Sequence, residues 1–182
     1  MIFRCVSHLF VYEHFNGLNT ATAVEIICDV LVHVSTYCEM IHKYELTDLL
    51  EPTEDDKPLT LFVPDNNSFD ALEGDEVFGF DSETKEFNSL TRDETIFVLK
   101  NHIVNLEAQS YSYSDLECGQ LSRTANLQSI RTACRQNLKY QRGPSQTEEN
   151  LARISLPNMN VCNDGIVHVV NNVVLPNLNQ IL

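Results

Sequence analysis

The sequence predicts an α+β fold with helices first and strands after. Two observations carry this. Helix-start signals (Thr22–Glu25 and Thr91–Glu94, both Thr-x-x-Glu) precede apolar-periodic segments in the first hundred residues. From Tyr111 onward, short β-prone runs alternate with turn residues. Helices segregated from a sheet in chain order indicate α+β packing, not alternating βαβ units.

Residues 1–20 read as a tail or a degenerate, truncated signal region. MIFRCVSHLFVY is apolar but interrupted by Arg4 and His8. The box at Thr22–Glu25 opens the apolar stretch VEIICDVLVHV. Tyr37, Met40, Ile41, Tyr44 and Leu49 then recur at near-helical spacing. Pro52 and Glu54-Asp55-Asp56 end that segment as a solvated loop, since they lack the alternating ligands of a calcium loop.

LTLFV (59–63) reads as a buried strand with Leu61 and Val63 on one face and Phe62 on the other. Pro64 stops it without orphaning a donor. Asp65 or Asn66 caps a short helix whose Phe69 packs back on the sheet. Residues 73–90, rich in Gly and acid, read as an insertion loop. The Thr91–Glu94 box opens the helix TIFVLKNHI. YSYS, SIRTA, LKYQ, ARISL, GIVHVV and VVLP read as strands, with GPSQTEEN (143–150) as a polar turn. Gly165 permits a positive φ in the turn before the last hairpin. His102 and His168 read as hydrogen-bonded core histidines.

The 182 residues, 43% hydrophobic, suffice for one domain with a real core. Its span is expected at 21–178, with 179–182 as a C-terminal tail. A net charge of −14 and only twelve Lys and Arg disfavour nucleic acid and anionic membrane as partners. No apolar run reaches the ~18 residues of a transmembrane helix.

Enzyme signatures are missing. There is no Gly-x-Ser-x-Gly elbow and no phosphate-binding glycine loop. His33 and His42, nine residues apart, share no helix face, and no metal or cofactor is expected. The six cysteines (5, 28, 38, 118, 134 and 162) form no Cys-x-x-Cys pair and suit a secreted protein with disulfides. Cys118 and Cys134 flank two short β runs around a turn, which can bring them to disulfide distance. Closing a loop of about 15 residues contributes about 3 kcal/mol in the chain-entropy model. Cys162 is the rival partner for Cys134, and reduced core thiols are the third alternative. The sequon Asn66-Asn67-Ser68 falls at a helix start, where a glycan would disturb the cap.

Three stretches resemble, in order, the motifs of the fasciclin domain family. In LTLFVPDNNSFDAL, Phe62, Pro64, Asn66 and Phe69 match, with Asp65 in the place of Thr. In VLKNHIV, His102 matches and Asn101 stands where the family has Tyr. In DGIVHVVNNVVLP, Gly165, Val167, His168, Val169, Leu175 and Pro176 match, with Asp164 in the place of Asn. The pattern TAC…KYQ…VCNDGIVHVV is most similar to the cysteine-bearing fasciclin domains of single-celled algae.

The resemblance implies N-terminal helices packed on a wedge-shaped β-sandwich, with GIVHVV beside LTLFV in the core. It also implies a secreted or cell-surface module, not an enzyme, that mediates adhesion through protein or glycan contacts. In animal members the Tyr-His motif is linked to receptor binding. The alternative is a small-molecule or lipid-binding domain using a groove between helices and sheet.

Overall fold

The computed structural model describes residues 21–51, 58–105, 109–161 and 165–181. The 1–20 tail, the loop at Pro52 and Glu54–Asp56, and Cys162 and Asp164 lie outside the described residues.

The chain enters through α1 (Ala23–Glu25), and its capping box is complete. Thr22 Oγ1 accepts from the Glu25 amide, and a Glu25 carboxylate oxygen accepts from the Thr22 amide. The helix then widens into a π-helical turn, Ile26–Val30, and breaks at Leu31. A 3-10 turn, Val32–Val34, leads into α2 (Ser35–Lys43). The single helix expected over VEIICDVLVHV is therefore interrupted. Its β-branched residues resist a regular helix, and the Cys28–Cys38 disulfide ties the two parts together. Tyr37, Met40 and Ile41 of α2 are fully buried.

β1 (Thr60–Pro64) feeds α3 (Asn66–Asp70). The 73–90 segment is not the surface insertion its composition suggests. It forms the ribbon β2 (Phe80–Asp81) and β3 (Glu86–Phe87), which sends Phe78, Phe80 and Phe87 into the core. Three apolar anchors outweigh an acidic composition because the acids flank them and, apart from half-buried Asp81, sit at the surface.

α4 (Arg92–Lys100) has the second complete capping box, between Thr91 and Glu94. There follow β4 (Ile103–Val104), β5 (Leu121–Arg123), β6 (Ser129–Arg135), β7 (Leu138–Arg142), β8 (Ala152–Val161) and β9 (Gly165–Val170). The order in the large sheet is β4-β1-β9-β8-β7-β6-β5. β9 runs parallel to β1, with Leu61 opposite Val167 and Val63 opposite Val169. Just after β5, the Ala125 amide donates to Ile103 O of β4 at 2.8 Å. The sheet thus folds over so that its two ends touch at this bond, with no ladder between β5 and β4.

Two cores result. Leu61, Val63, Val167 and Val169 face the helices and the phenylalanine ribbon. Phe62, Val170, Ile130, Ala152 and Ile154 fill the space inside the folded sheet. β1 and β9 are the wall shared by both.

Two expected strands are absent. YSYS is a turn whose Ser112 bonds the Asp115 carboxylate. VVLP is extended but unpaired, so β9 begins no hairpin. Side chains hold VVLP in place of a strand partner, as the site geometry shows.

Candidate functional site

The motif residues converge on the interior. Asn101 and His102, at the end of α4, are both fully buried and clamp one residue of the returning chain. Asn101 Nδ2 donates to Val174 O at 2.8 Å, and the Val174 amide donates to His102 Nε2 at 2.9 Å. His102 Nδ1 lies 3.0 Å from Val98 O. A carbonyl can only accept, so Nδ1 carries the proton and Nε2 is the acceptor. This partnering holds the ring neutral, and burial pushes its pKa down to about 4.

Asn101 therefore does structural work where the family has Tyr. Its Oδ1 also accepts from Asn126 Nδ2 at 3.1 Å. Further side chains hold the neighbouring backbone. Gln146 Nε2 donates to Val173 O, and Gln128 exchanges two bonds with the Asn177 backbone. Pro176 is buried between these grips.

His168 sits on β9 opposite Phe62, and the two rings stack with centroids 5.4 Å apart. Its Nε2 donates to Tyr111 O at 2.8 Å, and its Nδ1 accepts from the Asn158 amide at 3.2 Å. This is the opposite tautomer to that of His102. It is equally neutral, with a pKa lowered to about 4 by burial. The Asn158 amide reaches the ring because β8 bulges between Ile154 and Met159. Asn158 takes φ +63° there, a conformation Asn tolerates.

At the first motif, Asp65 caps α3 by accepting from the Ser68 amide at 2.9 Å. Asn66, the other cap candidate, does not cap its own helix. Its Oδ1 accepts from the Thr36 amide at 3.0 Å and its Nδ2 donates to Ser35 Oγ at 3.1 Å. It supplies the cap that α2 lacks, since Val34 at that helix start has no side-chain oxygen. A glycan on Asn66 Nδ2 would displace the Ser35 contact. Phe69 is fully buried, 5.0 Å from the ring of Phe80. Gly165 opens β9 opposite Val161; the turn before it lies outside the described residues.

Cys118 and Cys134 are joined by a disulfide with Cα atoms 5.5 Å apart. Cys134 is thereby unavailable to Cys162. Cys28 and Cys38 form a second bridge, which sequence reading did not single out. His42 Nε2 lies 3.5 Å from Cys28 Sγ. Both sulfurs are consumed by the bond, so this trio is no metal donor set while oxidised.

A shallow depression of about 270 Å³ between α2 and β3 is lined by Lys43, Tyr44, Glu86, Phe87, Leu90 and Arg92. Lys43 pairs with Glu86 at 2.5 Å, and Arg92 lies 5.3 Å over the Tyr44 ring. Its rim is charged and its charges are matched.

A buried histidine in each half of a double core, clamped by backbone on both nitrogens, defines a module whose signature residues maintain shape. The sequence profile of the fasciclin domain matches residues 32–176, and the chain belongs to that family. Among solved structures, it is similar to a FAS1 domain pair from the insect cell adhesion molecule fasciclin I. That match has a TM-score of 0.63 and 19% identity over 85% of this chain. This chain covers 51% of that two-domain structure. No curated protein sequence matches significantly.

Proposed function

We propose that this chain is an extracellular cell-adhesion or matrix-interaction module that binds protein or glycan partners and catalyses no reaction. The observation that carries the reading is the match to the fasciclin domain over most of the chain. Two disulfides, with no free thiol among the described cysteines, fit an oxidising compartment. The histidines also support a non-enzymatic role, since each spends both ring nitrogens on backbone. Among the described residues no helix is long and apolar enough to cross a membrane.

We place the domain at residues 21–178. Because the motif side chains, apart from half-buried Asn66, are buried, partners meet the outer surface and not the motifs.

The test is co-sedimentation of the purified chain with an extracellular matrix fraction of its source, together with intact mass under non-reducing conditions. Saturable binding by a fully oxidised chain is expected. A native chain that carries free thiols at Cys28, Cys38, Cys118 and Cys134, or one that the matrix does not retain, would overturn the reading.

A further inference from the structure

The acidic balance of the chain conceals a sharp segregation of charge. Residues 118–147 contain no Asp or Glu and carry Arg123, Arg131, Arg135, Lys139 and Arg142. With Arg153, this is half of the twelve basic residues, on four neighbouring strands that hold no acid.

Strand alternation sorts these residues by face. Ser122, Ile130, Thr132, Gln141, Ala152 and Ile154 point inward and are buried. The five arginines point outward. Arg123, Arg131, Arg135 and Arg153 are exposed and Arg142 is half-buried.

Register aligns four of them into a band. Arg131 of β6 lies directly opposite Arg142 of β7. Arg123 pairs with Ser129 and is therefore diagonal to Arg131. Arg153 pairs with Tyr140 and is diagonal to Arg142. The band crosses four strands, about 14 Å at the usual strand spacing. Like charges directly opposite destabilise a sheet, so folding alone does not account for this placement.

Resting on the adhesion reading above, we propose that this arginine band is the binding face and that its ligand is an anionic polysaccharide, sulfated or uronate. The chemistry of the band selects that class. Planar guanidinium groups bind sulfate and carboxylate oxygens in pairs. The chain itself displays the interaction: Glu148 reaches over the face, its carboxylate held by Arg142 Nη1 at 2.5 Å and by Arg135 Nη2. Arg131 and Arg153 carry no ion pair among the described residues.

A protein partner fits less well. Protein interfaces centre on apolar and aromatic anchors with charge at the rim. Here the arginines cross all four strands, and the apolar side chains on the face, Leu121 opposite Arg131 and Tyr140 opposite Arg153, each sit beside a guanidinium and form no apolar centre. A nucleic acid carries a charge on every residue and would extend past the band into the field of a molecule whose net charge is −14. A polysaccharide charged once per repeat needs the band only. Salt leaves the local contact effective, since the Debye length is about 8 Å at physiological ionic strength.

The experiment is binding of the purified, oxidised chain to immobilised heparin (the sulfated probe), polygalacturonate (the carboxylate probe), dextran (neutral) and single-stranded DNA. Wild type is expected on heparin, polygalacturonate or both, not on dextran, and less tightly on DNA. Which of the two charged glycans binds identifies the anion. Affinity for four arginine contacts should fall by up to about a hundredfold between 50 and 200 mM salt.

The exposed double variant R131S/R153S should lose binding with its unfolding midpoint unchanged. K43S/R92S, at the depression between α2 and β3, should keep it. Glu148→Gln should bind more tightly, because it releases Arg135 and Arg142. Wild-type binding by R131S/R153S, tighter binding to DNA than to either glycan, or a band occupied by a second copy in concentration-dependent self-association would overturn the proposal. The matrix assay separates the two readings. If matrix retains both wild type and R131S/R153S while neither charged glycan binds, the adhesion reading stands and the face assignment falls. If wild type binds neither matrix nor glycan, both fall.

Discussion

His102 and His168 set the pH response of the fold. Each donates to a backbone carbonyl from one nitrogen and accepts a backbone amide at the other. Protonation would turn an amide–imidazole contact into two opposed N–H groups. Both pKa values are lowered to about 4 by burial, whereas the unfolded chain titrates near 6.5. The unfolded state therefore binds protons first. Stability is complete above about pH 6.5 and falls as the pH drops toward 4, by up to about 3 kcal/mol for each histidine. Asp81, Glu94 and Asp115 are also held below the usual carboxylate range, by hydrogen bonds to nearby amides or hydroxyls, so their contribution is lost at lower pH still. Urea midpoints measured from pH 7.5 to 4 should decline through this window. A flat profile would show that the imidazoles are not held neutral. At the same scale, Phe69→Ala should cost about 3–5 kcal/mol, against a domain stability of about 5–15 kcal/mol. Phe69 is fully buried and within aromatic contact of both Phe80 and Phe87. A loss below about 1 kcal/mol in equilibrium unfolding would contradict its place in the core.

Among the elements, the strands from β5 to β7 depend most on a covalent tie. β5 is a three-residue edge strand, hydrogen-bonded on one side to β6. The Cys118–Cys134 bond fastens the segment just before β5 to the far end of β6. The sequence separation of 16 implies about 3 kcal/mol from loop closure. C118S/C134S should lower stability by about that amount, read as a shift in urea midpoint with the slope retained. An unchanged midpoint would mean that pairing with β6 alone holds β5. Legibility at this scale followed the range of the forces. Capping boxes at Thr22 and Thr91 were legible because their partners lie within a few residues, and the strand at 60–64 because its apolar run stops at Pro64, although the strands it pairs with are far along the chain. The 73–90 ribbon was not, because its order comes from Phe78, Phe80 and Phe87 reaching a core assembled from distant segments. VVLP had strand composition but no strand to pair with, and side chains from three other segments hold it and the residue after it instead.

For the whole molecule, the shared wall of β1 and β9 governs cooperativity. Leu61 and Val63 belong to one core and Phe62 to the other, so neither core can open without exposing β1. Amide exchange should be slowest in β1 and β9 and approach the global unfolding free energy there. β5 and the ribbon β2–β3 should exchange faster. Slowest protection in the β6–β7 hairpin instead would place the stability centre elsewhere.

The sequence by itself determined the class of fold, the order of its elements and the family, and it offered Cys118–Cys134 as one of three readings that the structure then decided. Those follow from periodicity, local caps and motifs, which act over short stretches of chain. Only the tertiary structure decided that Asn66 caps α2 across a gap of thirty residues, that Asn101 and His102 grip Val174, and which tautomer each histidine holds. Each of these depends on a backbone group supplied by a distant segment, and no local pattern encodes where that segment will lie. The arginine band has the same origin. Its residues are scattered from 123 to 153 in the chain, and strand pairing alone brings them side by side.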